Sequence, residues 1–319
     1  MTRQSTISAP AAAGVFVCAA LLAGCATPPM TTALATQPPS ALARQTVIAR
    51  VPFIPQEDYQ CGPAALAMVL GADGAAVSAE ALVAQVYLPA RGGSLQAEML
   101  AAARRHGRLA VVLPGRLDAI LAEVEAGRPV IVLQNLSLPV LPRWHYAVVI
   151  GYDLERQQVL LHSGTSARLA LPMAVFERTW ARSGHWAMVA TAPSVLPSSP
   201  DASSLLTAVA ALERVDASSA ARAYTALTGR HPSLYGAWFG LGNANHSTGD
   251  LAGAARAFSR ATQIDPRAAD GWNNLALTQL ALGRVGDAHA AAQHAVALGG
   301  PRAARYRETL EAIERRRAS

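Results

Sequence analysis

The period of the apolar positions changes several times along the chain. Residues 11–23 are almost uniformly apolar, and the pattern then lapses. Residues 26–46 mix Pro, Thr, Ala and Gln without a period and read as a flexible tether. From residue 63 the runs are helix-forming, over 63–70 and 79–87. Ser94 can cap a helix reaching Arg105 that Gly107 ends, and Gly127 stops another over 117–126. Short Val/Ile/Leu runs read as strands: "LAVVL" at 109–113, then "PVIVLQN", "HYAVVIGYD", "QVLLHSG" and a late "HWAMVA". Helices grouped ahead of an antiparallel sheet predict an α+β domain over residues 47–192.

Residues 193–204, within the Pro/Ser-rich "APSVLPSSPDASS", read as an interdomain linker. After it the sequence repeats every 34 residues: Trp238 recurs as Trp272, Leu241 as Leu275, Ala254 as Ala288 and Ala261 as Ala295. Backward, Phe258 maps to Tyr224 and Pro266 to Pro232. The order Trp, Leu-Gly, Ala, Phe, Ala, Pro resembles the tetratricopeptide repeat. Small residues let two helices cross closely, large ones fill the gap beside them, and the proline ends the second helix. The later repeat departs from this pattern, with Ala292 at the aromatic position and Gly300-Pro301 shifting the proline by one. Residues 205–317 are therefore expected to hold two full repeats and a partial one that keeps mainly its second helix, closed by a capping helix over 301–317. Such repeats imply a protein partner.

Composition narrows the chemistry. The 319 residues are 51% hydrophobic and 15% charged, enough for a real core and against wholesale disorder. All 27 basic residues are arginine. A chain without lysine has no P-loop lysine, no Schiff-base lysine and no pyridoxal-phosphate anchor, so ATP hydrolysis by this chain alone is disfavoured and no cofactor is expected. The net charge of +6 is mild, and the run Arg315, Arg316, Arg317 reads as the solvated end of a last helix rather than a nucleic-acid patch. No metal-ligand set stands out: His289 and His294 are five apart, off a common helix face.

The first residues read as a targeting signal. Arg3 supplies the positive start, and the apolar run is shorter than the roughly 20 residues a membrane-spanning helix needs. It ends in Leu22, Ala23, Gly24 and Cys25, which resembles a bacterial lipobox. That resemblance implies a signal peptide over 1–24 and a lipidated Cys25 as the mature N-terminus. Ala26 rather than Asp after it favours the outer membrane, facing the periplasm.

With Cys18 in the signal and Cys25 acylated, only Cys61 remains, so no internal disulfide can form. An oxidising compartment leaves such a thiol either buried and inert or chemically useful. Cys61 stands at a helix start, where unsatisfied N–H groups and the dipole favour thiolate. Gly62 is expected to leave the sulfur open to approach, and Pro63 suits a first helical turn. Among the histidines, His145 opens a strand at a sheet rim, beside the Pro-interrupted "LPVLPRW", and is the candidate general base and acid. Gln56, with Gln60 as the competing choice, could join the Cys61 N–H in an oxyanion hole. His185 reads as an ordinary strand residue.

"VPFIPQEDYQCGPAALAMVL", followed about 80 residues later by "WHYAVVIGYD", resembles the bacteriocin-processing, double-glycine leader peptidase family over residues 50–190. The resemblance implies a papain-like fold and a Cys–His peptidase with Cys61 as nucleophile, His145 as base and Gln56 in the oxyanion hole, acting on a peptide or protein substrate. It also implies a third residue, usually Asp, that orients the histidine. Here a hairpin about 153–157 would bring "LHSG" beside His145, so that His162 or Ser163 flanks the ring, with His162 the candidate orienting residue and no carboxylate present. The chain has neither a transporter membrane domain nor a nucleotide site, so the exporter role of fused relatives does not carry over. Three readings remain: a hydrolase, a Cys-dependent acyl transferase, or a scaffold acting through its repeats.

Overall fold

The computed structural model describes residues 27–55 and 60–318. The signal segment, Cys25 and Gln56 lie outside the described residues. The chain opens with α1 (Pro29–Thr36) and β1 (Gln45–Val47), then α2 (Cys61–Ala72) and α3 (Ala79–Val86). Strands β2 (Tyr87–Leu88) and β3 (Gly93–Ser94) pair around one 3-10 turn, followed by α4 (Gln96–Arg105), β4 (Leu109–Val112) and α5 (Leu117–Glu125). Next come β5 (Val130–Asn135), β6 (Trp144–Asp153), β7 (Gln158–Ser163), β8 (Ser166–Pro172), α6 (Met173–Ala181) and β9 (Ala187–Thr191).

One seven-stranded sheet holds this half together, in the order β4-β9-β5-β6-β7-β8, with β1 on β6, and every pairing in it is antiparallel. Helices α2, α3 and α4 form one packed group, with α2 against β5, β6 and β9, while α1, α5 and α6 form another. Strand β5 is buried at every position, as its unbroken apolar run requires when both faces are covered. In α2 every residue from Gly62 to Leu70 is buried, so the helix is apolar all round rather than along one stripe. Full burial of Leu66, Met68, Val69 and Leu70 contributes about 2 kcal/mol each. Gly107 and Gly127 take left-handed φ of 68° and 74°, ending α4 and α5 where expected.

Three local expectations are corrected. Ser94 does not cap α4, whose N-cap is Leu95; it sits in β3 instead. His185 is not in a strand but in a turn at φ 58°, its ring edge-on to Trp180 at 4.8 Å. The tether is ordered from residue 29 onward. The amides of Met30 and Thr31 and the Thr31 hydroxyl all donate to the buried Glu177 carboxylate, at 3.0, 2.7 and 2.7 Å. A carboxylate from α6 thus supplies α1 with the N-terminal acceptor that Pro28 cannot.

Seven helices follow: α7 (Ala202–Glu213), α8 (Ala217–Arg230), α9 (Tyr235–Ser247), α10 (Leu251–Ile264), α11 (Ala269–Ala281), α12 (Val285–Leu298) and α13 (Ala303–Ala318). They make three helical hairpins and a cap, so the repeat expected to be partial has its first helix, α7, as well. The 34-residue period is visible as repeated bonds: Trp238 Nε1 donates to the Pro232 carbonyl at 3.0 Å, and Trp272 Nε1 to that of Pro266 at 2.9 Å. Asp216 and Asp250 cap α8 and α10 in the same way, on the amides of Ser219 and Gly253. A Cβ at Gly242 would overlap the Phe258 ring, which is why small residues face large ones there.

The expected linker is docked rather than free. Glu123, fully buried, accepts from Ser198 N, Ser199 N and Ser199 Oγ at 2.7–2.8 Å and pairs with Arg128. Arg230 of α8 donates to the Leu196 carbonyl at 2.9 Å. Helix α7 packs on β4, and the apolar core runs from the sheet into α7, α8 and α9 without a break. Replacement Glu123→Ala removes the acceptor of three bonds and takes the counter-charge from Arg128, which keeps only its bond to Ser198 Oγ. It is expected to lower stability by about 3 kcal/mol in urea unfolding and to open residues 193–204 to limited proteolysis, whereas Glu213→Ala leaves that segment protected.

Candidate active site

Cys61 begins α2 at one wall of a cleft of about 460 Å³. The cleft floor and sides include Leu133, Trp144 and Tyr146 from the sheet and Gly93 and Ser94 from the β2–β3 hairpin. Arg91 and Arg182 stand at it, and no acidic residue among the described residues lines it. The hairpin is fastened to the sheet by Tyr146, whose hydroxyl donates to the Ser94 carbonyl at 3.1 Å and whose ring meets Trp186 edge-on at 5.8 Å. Gly62 is buried, and a Cβ there would overlap the Ser94 hydroxyl. The glycine therefore permits close packing of the hairpin beside Cys61 rather than opening the sulfur to solvent. The Gly92-Gly93 doublet was the available sequence signal for this wall.

The amides of Tyr146, Gly62 and Cys61 lie near enough to the sulfur to favour its charged form, but burial outweighs them and pushes the thiol above its ordinary value. This corrects the expectation of a resting thiolate: the helix terminus is present, but the loss of water around the sulfur is the larger effect. The Tyr146 amide belongs to the peptide that joins it to His145, so α2 and the start of β6 meet at this point. Among the described residues no hydrogen bond joins Cys61 to the His145 ring.

His145 lies second in β6, opposite Gln134 of β5. Its Nε2 is 2.9 Å from Ser163 Oγ, at the end of β7. Burial, reinforced by the Arg143 guanidinium, lowers its pKa to about 4, so the imidazole is neutral near pH 7. With Nε2 committed to Ser163, Nδ1 is the ring edge left for a proton transfer.

His162 does not orient His145. It pairs in register with Val148, its Nε2 lies 3.3 Å from the Val51 carbonyl, and its Nδ1 accepts from the Arg168 amide at 3.2 Å. Its ring packs on Phe53 with centroids 5.2 Å apart. Successive strand residues point to opposite faces, so the same hairpin that brings Ser163 to His145 sends His162 into the core. Asp153 sits at the far end, capping the turn through the Arg156 amide at 2.9 Å. Gln60, the N-cap of α2, is exposed and makes no side-chain capping bond, and Gln56 is among the residues not described.

The architecture is an α+β domain followed by all-helical repeats. Residues 48–188 match the model of the Peptidase_C39-like family, and residues 205–269 match a tetratricopeptide-repeat model. No curated protein matches the chain. Among solved structures, a C39-like peptidase candidate from Bacillus anthracis aligns at 20% identity over 50% of this chain and 100% of its own, with a TM-score of 0.42. The repeats align with the type III secretion chaperone SycD of Yersinia enterocolitica, in complex with a peptide of the translocator YopD, at 18% identity over 35% of this chain and 92% of that one (TM-score 0.33). They also align with the Sgt2 repeat domain of Aspergillus fumigatus, at 24% identity over 37% and 80% (TM-score 0.34).

Because the folded His145 titrates near 4 and an unfolded histidine near 6.5, the unfolded chain binds the extra proton between those values. Stability is complete above pH 6.5 and falls as pH drops toward 4, with His145 contributing about 3 kcal/mol of the loss at most. His162, also lowered, acts in the same direction. Urea unfolding from pH 7.5 to 4 is expected to show a shallower decline in His145→Gln than in the wild type.

Proposed function

We propose that this chain is a cell-envelope cysteine peptidase, anchored by lipid at Cys25, that hydrolyses peptide bonds through a thioester on Cys61. The observation that carries this reading is the placing of Cys61 at a cleft wall beside the His145–Tyr146 peptide, with the His145 ring held on Ser163 by its far nitrogen. Both groups are neutral at rest, so attack and proton transfer proceed together. The sulfur bonds to the carbonyl carbon as its proton passes to His145 Nδ1. The imidazolium then protonates the departing amine, and water, deprotonated by the same ring, cleaves the thioester. The Cys61 amide and the Gln56 side chain are assigned to the oxyanion.

Ser163 takes the place of the missing carboxylate. Its hydroxyl can accept from Nε2–H and fix the tautomer, but as a neutral group it stabilises the imidazolium less than an anion would. Export by a lipobox-directed route, an outer-membrane position facing the periplasm, and a protein partner or substrate held by the repeats complete the proposal. The alternatives are a Cys-dependent acyl transferase, which shares every step up to the thioester, and a scaffold acting through its repeats.

Cleavage of a peptide library by the wild type and by Cys61→Ala tests the central claim. Cleavage lost in the variant is expected, and an inactive wild type that also fails to react with a peptidyl electrophile selects the scaffold. Products captured by an added amine in preference to water select the transferase. Ser163→Ala is expected to lower kcat about tenfold with little change in KM, while Ser163→Asp raises the His145 pKa and moves the acidic limb of the pH–rate profile upward.

A further inference from the structure

Large apolar side chains are unusually concentrated at one exposed place. Leu136, Leu138, Val140, Leu141 and Trp144 lie within nine residues and are 45, 61, 80, 74 and 52% exposed. The loop that carries them has a built base. Asn135 Oδ1 accepts from the amides of Ser137 and Arg143 at 3.0 and 2.9 Å, the Leu136 amide donates to the Arg143 carbonyl at 2.9 Å, and Arg182 donates to the carbonyls of Asn135 and Ser137. Two prolines, Pro139 and Pro142, stiffen the tip. The protein thus holds an apolar tip out in water on an ordered frame, an arrangement that marks a contact surface.

The chemistry of the loop fits one occupant. The tip residues Leu138, Val140 and Leu141 do not line the cleft, which the loop reaches only through Trp144 at its base. Residues 136–144 include no acid; Arg143 and Trp144 stand at the base of the apolar tip, the order in which headgroup and acyl layers are met. The start of α1 is held by Glu177 and the loop by Arg182, five residues further along the same segment. Cys25 precedes Pro29 by four residues, so extended chain keeps it within about 14 Å of that point. The geometry points to a loop over residues 136–144 that enters the interfacial layer of an anionic phospholipid bilayer and brings the cleft to the membrane surface. The last of these supports rests on the lipid-anchor reading of Cys25; the others do not.

The test uses the chain from residue 26 to 319, which lacks Cys25 and holds every described helix and strand. It is floated with vesicles of phosphatidylglycerol and phosphatidylethanolamine. Wild-type chain is expected to float, and Val140→Asp/Leu141→Asp to lose at least about tenfold in binding, with its thermal midpoint unchanged because both side chains are exposed. Leu138→Ser/Leu141→Ser, which adds no charge, is expected to weaken binding in the same direction. A wild type that stays with the vesicle-free fraction overturns the proposal, as does an aspartate variant that floats equally well. So does a wild type whose self-association, abolished by the same variant, accounts for the patch. Neither Cys25 nor cleavage enters the flotation result, so its failure is separate from that of the peptidase reading, and mass spectrometry of the envelope-derived protein decides the lipid anchor.

Discussion

The burial of α2 on every side is the constraint on which the site depends. A helix buried from Gly62 to Leu70 can neither rotate nor shift without opening voids against the sheet, and Cys61 is the half-buried residue at its start. The sulfur is therefore placed first by the core, with the nearby amides of Tyr146, Gly62 and Cys61 adding to it. The β2–β3 hairpin is placed by the same helix, since it packs on Gly62 where any side chain would push it away. Cleft wall and nucleophile candidate are two ends of one packing arrangement.

Two buried carboxylates do for the chain's outer segments what apolar packing does for its centre. Glu177 ties down α1, and Glu123 ties down the segment ahead of α7, each by gathering backbone amides that would otherwise need water. Neither is legible from sequence, because each acts on residues about 75 to 147 positions away. Local composition marks both segments as tethers, and their order comes from elsewhere in the fold. Similarly α7 lacks the tryptophan that announces a repeat, and it is recovered by packing on β4. What sequence does show is whatever is local: the glycine stops of α4 and α5, the apolar run of β5, and the 34-residue spacing of Trp238 and Trp272.

The site is legible to the same depth. Cys61 before a helix and His145 at a strand start follow from local pattern, and the β6–β7 hairpin places residues near 162–164 at the ring. Choosing between His162 and Ser163 needs the facing of one strand to one residue, and a register irregularity between Val149 and Gly151 makes that facing hard to count from the turn. Burial inverts the electrostatic expectation as well. A helix terminus argues for thiolate, but the packing that buries Cys61 and His145 also excludes the water that would solvate their charges.

A protonated sulfur is a poor target for peroxide, because the anion is the species that oxidants attack. The desolvated resting state therefore guards Cys61, the only cysteine among the described residues. Durability and readiness are opposed in such a centre: the burial that keeps the thiol protonated also withholds the anion that any attack by sulfur would need.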